Sequence, residues 1–227
     1  MTPRRTALPA SLLALSTVAF AALAVSALVW PQGDELDVRF VTWVHHTAPG
    51  ELVDAMRVLT YAGSAIVLGP IAFGAALLLS RAGRPYSGVF VIAAFVGSEL
   101  IDQALKAGFR RARPELEDPF VRLTTYSFPS GHAFAATATY GALALVLASL
   151  LDRGRRALAL AVAGALIAIV AASRVVLGVH YLLDVLAGLC AGVALVCALL
   201  LVLEWRLANP FRVVTRKQQP ERLGLDA

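Results

Sequence analysis

The chain has 227 residues, 59% of them hydrophobic and 15% charged, with a mean hydropathy of +0.74. That balance excludes an ordinary water-soluble domain and makes a lipid bilayer the expected solvent. The net charge of +5 does not point to nucleic acid, because the basic excess lies in short loops beside apolar runs and in the tail, where the positive-inside rule accounts for it.

In chain order, a span of about 20 apolar residues is expected first at Leu8–Trp30. Arg4 and Arg5 precede it as in a signal peptide, but the run exceeds the usual h-region of about 7–15 residues, so it reads as an uncleaved helix. From Asp34 to Thr60 the composition is mixed. Leu36, Phe40, Trp43 and Val44 recur there at helical spacing beside Asp37 and Arg39, the pattern of an interfacial helix on the outer face. His45 and His46 lie in it without a third ligand type nearby and read as surface or interfacial histidines, not a metal site.

Further spans are predicted at Tyr61–Ser80, Tyr86–Leu105, Ala133–Leu151, Ala157–Ala172 and Val185–Leu203. The fold class is therefore all-α, a six-transmembrane-helix bundle. The fifth span is short and runs into Ser173 and Arg174, so its outer end is expected at a water-filled or protein-lined site. Gly188 and Gly192 give the last span a small-residue face for close helix approach inside the bundle, and no oligomeric state follows from it. Cys190 and Cys197, on one helix about 10 Å apart, cannot bridge each other and read as small buried residues. The tail, about 206–227, begins with the Trp205–Arg206 interfacial anchor, is polar beyond Asn209 and Pro210, and receives no function. No linker of shifted composition divides the chain, so residues 1–227 read as one membrane-embedded domain.

Orientation follows from the basic residues. With a cytoplasmic N-terminus, twelve of the 20 lie inside: Arg4, Arg5, Arg81, Arg84, Arg153, Arg155, Arg156, Arg206, Arg212, Arg216, Lys217 and Arg222. Both termini are then cytoplasmic. Three polar segments fall together at the outer boundary: Lys106 to Pro114, Pro129 to His132, and Ser173 to Asp184.

Those segments hold the parts of a phosphoryl-transfer site, which needs donors for three equatorial oxygens, an in-line nucleophile and an acid for the departing oxygen. Lys106, Arg113 and Arg174 are the cations. Ser130 and the Gly131 amide fall at a helix N-terminus, where free N–H groups favour an anion. If the last helix starts near Gly178, His180 and Asp184 share a face at i, i+4, and the carboxylate orients the imidazole for attack on phosphorus. His132 is left as the acid. Arg110 and Arg111 are expected to draw phosphorylated headgroups to this boundary. Glu99 and Asp102 read as partners of the basic residues, with Asp102 at i, i+4 to Lys106. The stretch from Glu115 to Phe128 is placed at the substrate entrance by position alone.

Lys106-x6-Arg113-Pro114, Pro129-Ser130-Gly131-His132 and Ser173-Arg174-x5-His180-x3-Asp184, in this order, resemble the three-part motif of the type 2 phosphatidic acid phosphatase family, whose fold is shared with vanadium haloperoxidases. The resemblance covers residues 106–184 and is unbroken at every motif position. It implies that Lys106, Arg113, Ser130, Gly131 and Arg174 bind the phosphoryl group, that His180 forms a phosphohistidine, that Asp184 orients it and that His132 protonates the leaving oxygen. It implies no metal and no cofactor, in keeping with the charge already supplied by the cations.

The expected partners are the bilayer and a phosphorylated lipid: phosphatidic acid, phosphatidylglycerol phosphate or undecaprenyl pyrophosphate. The expected location is the plasma (inner) membrane, with the site facing outward. A phosphotransferase with the same histidine, and a lipid-phosphate binder or transporter without turnover, are the alternatives. The complete set of nucleophile, acid and orienting carboxylate argues against the binder, since binding needs only the cations. Haloperoxidase action disagrees with a membrane-embedded site.

Overall fold

The computed structural model describes residues 3–117, 120–121 and 123–207, the side chains of residues 3–5 and 207 excepted. The polar tail from Asn209 onward, with Arg212, Arg216, Lys217 and Arg222, lies outside the described residues. Among those described there are eight α-helices and no strand: α1 (Pro3–Val29), α2 (Glu35–Thr47), α3 (Gly50–Leu59), α4 (Ala65–Arg81), α5 (Pro85–Phe109), α6 (Gly131–Leu150), α7 (Arg153–Val176) and α8 (Leu182–Leu207).

Five of these helices, α1, α5, α6, α7 and α8, are long and apolar enough to cross a bilayer, and the bent pair of α3 and α4 passes the same test when taken as one span, giving up to six crossings. The protein is thus an all-helical, multi-pass membrane protein. Leu8, Val18, Ile66, Leu78 and Leu158 remain exposed on the outside of the bundle. In water such a surface would be costly, whereas a lipid-facing surface requires it.

The second crossing differs from the continuous Tyr61–Ser80 helix expected from hydropathy. Residues Thr60–Gly63 form a short 3₁₀ turn, Ser64 is extended, and the two parts meet at 40°. Irregular backbone at this depth is tolerated where protein covers it: Tyr140 Oη donates to the Ala62 carbonyl at 2.7 Å. The fifth crossing is likewise not short. Helix α7 has 24 residues and carries Ser173 and Arg174 on its buried face within its last turns.

Helix α6 is the centre, more of it buried against the rest of the protein than of any other long apolar helix. Its Ala135, Ala136 and Ala138 pack with Leu68 of α4, Phe90 and Ala94 of α5, and Val170 of α7. Alanine suits this position because a small side chain lets several helices approach one axis. Helix α6 approaches α8 closely, as the small-residue face predicted: a methyl at Gly188 would fall 2.5 Å from the Ser130 carbonyl, and one at Gly192 2.5 Å from Thr137 Cβ. Helix α1 lies along α8, where Ala24, Ala27 and Phe20 surround Phe128 and Ala187.

The stretch from Asp34 to Thr60 is two helices rather than one, α2 and then α3, the first part of the bent pair. Asp34 caps α2, its carboxylate accepting from the Asp37 amide at 2.8 Å. Leu36 and Trp43 are exposed while Asp37 and Val41 are buried, so the helix has an apolar outer face and an inner face that carries an acid. His46 is exposed. His45 is half-buried, its ring 4.3 Å from that of Phe120.

The antiparallel run of helices sorts the polar groups. The end of α5, the start of α6, the end of α7 and the start of α8 share one end of the bundle, together with α2, the Thr60–Gly63 turn and the described residues between α5 and α6. At the opposite end Arg81 closes α4, Arg84 precedes α5, and Arg153, Arg155 and Arg156 open α7.

Candidate active site

Helix α8 begins at Leu182, not near Gly178, which instead turns the chain with φ at +66°. His180 therefore precedes the helix, and the i, i+4 helical geometry expected for His180 and Asp184 is not what brings them together. Asp184 reaches back from the first turn and accepts from the Tyr181 amide at 3.0 Å, as a carboxylate at a positively polarised helix N-terminus can. His180 Nδ1 then stands 3.6 Å from Asp184 Oδ2, with Ser127 Oγ donating to that same oxygen and lying 3.3 Å from Nδ1.

The other imidazole nitrogen, Nε2, is 3.2 Å from Arg113 Nη1. Arginine has only donors, so Nε2 must present its lone pair and the ring proton must sit on Nδ1. This is the tautomer a nucleophilic Nε2 requires. Burial, with the Arg113 and Arg174 charges and against the pull of Asp184, pushes the His180 pKa down to about 3, so the lone pair persists at neutral pH.

The cations divide into two kinds. Arg113 is held by the Thr125 and Tyr126 carbonyls at 2.7 and 3.2 Å, by Thr125 Oγ1 at 2.9 Å and by the Val179 carbonyl; burial lowers its pKa from the usual range. Lys106 pairs with Asp102 and donates to the Pro129 carbonyl at 2.9 Å. Asp102 thus fills the expected partner role, and Glu99 is close enough to act electrostatically on both residues. A side chain at Gly131 would strike Asp102 Oδ2 at 2.6 Å, so glycine here admits the carboxylate that holds Lys106.

The second kind has unfilled capacity. Arg174 donates through Nη1 to Thr60 Oγ1 at 2.6 Å, but its buried Nε has no partner, and neither does the buried Oγ of Ser130. Ser130 occupies the N-cap position of α6, as predicted, without making a side-chain cap bond. Buried donors left open are costly unless a ligand fills them, and an oxyanion would satisfy both. His132 follows in the first turn of α6, half-buried and within electrostatic reach of Arg174, Lys106 and Arg113. The structure brings together His180, His132, Asp184, Lys106, Arg113, Ser130, Gly131 and Arg174.

Arg111 corrects a sequence expectation. It does not face incoming headgroups: it is fully buried, bonded to Asp184 through Nη1 and to Asp37 through Nη2 at 3.3 Å, with its guanidinium 4.5 Å from the centre of the Tyr181 ring. Two carboxylates balance the charge of the buried guanidinium, while its buried Nε has no partner. Arg110 is exposed and donates to the Ala107 carbonyl at 3.1 Å. Ser127, Asp37, Thr60 and Thr125 were not singled out as site residues by the sequence. The one available signal was Asp37, an acid on the face of α2 opposite its apolar stripe.

Known proteins resemble this chain in sequence and fold. A curated protein of Bacillus subtilis (strain 168), phosphatidylglycerophosphatase B, is 31% identical over 148 residues, 63% of this chain and 71% of its own length. The crystal structure of a transmembrane PAP2 type phosphatidylglycerolphosphate phosphatase from Bacillus subtilis superposes with a TM-score of 0.71 at 26% identity, over 90% of this chain and 98% of that one. Aquifex aeolicus LpxE shares the fold, with a TM-score of 0.59 at 24% identity, over 74% of this chain and 97% of its own. The model of the PAP2 superfamily matches residues 87–208, from α5 through α8 and so across every motif residue. The chain belongs to the PAP2 superfamily.

Proposed function

We propose that this protein is a metal-independent lipid phosphatase, one membrane-embedded catalytic domain that hydrolyses a lipid phosphate through a phosphohistidine on His180. The observation that carries the reading is the Nε2 lone pair of His180 turned toward Arg113, beside the open donors of Arg174 and Ser130. Lys106, Arg113, Arg174, Ser130 and the Gly131 amide hold the phosphoryl oxygens and take up the charge that develops on them. Nε2 attacks phosphorus, the bond to the lipid oxygen breaks, and His132 delivers a proton to that oxygen. Asp184 balances the imidazolium. Water, activated by His132 in its deprotonated form, then cleaves the P–N bond and returns the enzyme.

Both Bacillus subtilis relatives are named for phosphatidylglycerol phosphate, which makes that lipid the first substrate to test, ahead of phosphatidic acid and undecaprenyl pyrophosphate. The site end of the bundle is opposite the arginines that flank α4, α5 and α7. The positive-inside rule places those arginines in the cytoplasm and the site at the outer leaflet of the plasma membrane. The outer apolar face of α2 would then lie in the headgroup region.

In oriented vesicles with phosphatidylglycerol phosphate confined to the leaflet at the site end, the wild type should release phosphate and form an acid-labile phosphoenzyme. His180→Ala should lose both and still bind vanadate. Turnover by His180→Ala would overturn the mechanism, and hydrolysis only from the leaflet facing Arg153 and Arg155 would overturn the orientation.

A further inference from the structure

His180 and Asp184 are 3.6 Å apart at their nearest polar atoms, beyond a hydrogen bond. The contact between them is made by another side chain. Ser127 Oγ has one proton and gives it to Asp184 Oδ2. It is therefore an acceptor toward His180 Nδ1, at 3.3 Å, and Nδ1 carries the proton because Arg113 has claimed the lone pair of Nε2. The three directions agree, each set by the donor inventory of its neighbour.

Asp184 is itself held from the far side. Oδ1 accepts from Arg111, and Oδ2 accepts from Ser127 and the Tyr181 amide. Arg111 extends its second nitrogen to Asp37 Oδ2, and Asp37 Oδ1 accepts from the Leu183 amide at 3.3 Å. All four of these side chains are buried. The main chain braces the same unit: the Ser127 amide donates to the Arg111 carbonyl, and the Ser130 amide to the Asp184 carbonyl, both at 2.9 Å.

We propose that Ser127, Arg111 and Asp37 are positioning residues for the nucleophile, forming with Asp184 a buried chain from α2 to Nδ1 of His180. The chain rests on the phosphohistidine reading above and names what orients that histidine. When the Nε2–P bond forms and the bond to the lipid oxygen breaks, the imidazole becomes cationic while its Nδ1 proton stays in place. Ser127 passes the attraction of Asp184 to that proton, and Arg111 keeps the carboxylate from rotating toward the ring or toward the cations of the phosphate cradle. Hydrogen bonds linked in this way polarise one another, and their deletion effects do not add.

The test uses the full chain in mixed micelles, with phosphatidylglycerol phosphate as substrate and vanadate as the probe of the cradle. Ser127→Ala should lower kcat roughly 10- to 100-fold, the scale of one hydrogen bond to a charged group, with KM and vanadate affinity held within about twofold. Asp37→Asn keeps the shape of α2 and should lower kcat less, by roughly threefold to tenfold, also without moving KM. The double variant should lose clearly less than the product of the two single losses, because both act on Asp184. Unchanged kcat in Ser127→Ala, parallel losses of kcat and vanadate binding, or strictly multiplicative losses would each overturn the chain. Arg111→Met leaves two buried carboxylates uncompensated and is not required for the decision. His180→Ala, run beside them, separates the two readings: turnover in it refutes the phosphohistidine, whereas its inactivity with normal Ser127→Ala refutes only the chain.

Discussion

Two short arginine-rich segments have nearly the same composition and opposite fates. Arg110-Arg111-Ala112-Arg113 follows α5, and Arg153-Gly154-Arg155-Arg156 opens α7. In the first, Arg111 is fully buried between Asp184 and Asp37, and Arg113 is half-buried beneath the Thr125 and Val179 backbone. In the second all three arginines are exposed, and the ion pair of Arg155 with Asp152, at 3.4 Å, is open to solvent. Acceptors decide the difference. The first segment meets carboxylates and carbonyls brought in by α2, α8 and the loop before α6, while the second meets one aspartate three residues away. In the proposed mechanism the first segment supplies the cradle through Arg113, and the second, by the positive-inside rule, anchors a helix end.

The contrast is largest in turnover. Arg113→Ala removes a cradle donor and the hydrogen bond to His180 Nε2, and kcat/KM should fall roughly 10²- to 10³-fold; Arg155→Ala should leave it unchanged. Steady-state kinetics on the two variants would break the comparison if the losses were equal.

Stability should separate the segments next. Removing one partner from a buried ionic cluster costs about 3–5 kcal/mol, so Arg111→Met should melt far below the wild type in detergent. Arg155→Ala, at an exposed pair, should cost no more than about 1 kcal/mol. Similar melting temperatures for the two variants would show that Arg111 is not compensated by Asp184 and Asp37 as described.

The smallest effect concerns pH. His180 has a pKa of about 3 in the folded protein, against about 6.5 for an unfolded histidine. Between those values the unfolded chain binds the extra proton, so this residue leaves stability untouched above pH 6.5 and reduces it as pH falls below 6.5 toward 3. Each pH unit in that window is worth about 1.4 kcal/mol, or roughly 3–6 °C in a chain of this size. From pH 6.5 to 5 the wild type should lose melting temperature more steeply than His180→Gln. Equal slopes would mean that the folded protein admits a protonated His180.

Much of this was readable before any fold was known. The motif residues lie at the ends of four long apolar runs, and antiparallel crossings bring every second end to one side. Hydropathy and helix length alone therefore gathered Lys106, Ser130, His132, Arg174, His180 and Asp184. The bend at Thr60–Gly63 was hidden because hydropathy reports the solvent a segment prefers and not the continuity of its backbone. The start of α8 was misplaced for a related reason: Gly178, with its positive φ, stops α7, and only Asp184 binding the Tyr181 amide shows where the next helix starts.

What the sequence by itself determined is the solvent, the helical class and the chemical inventory, since these depend on composition and on spacing along one chain. What only the tertiary structure decided is which charges face the substrate and which face one another. Arg111 and Arg113 are two residues apart and indistinguishable by type. Asp37 and Ser127, 74 and 16 residues away from Arg111, give it and Asp184 their partners. A buried charge takes its role from the nearest group of opposite sign, and that distance is set by packing.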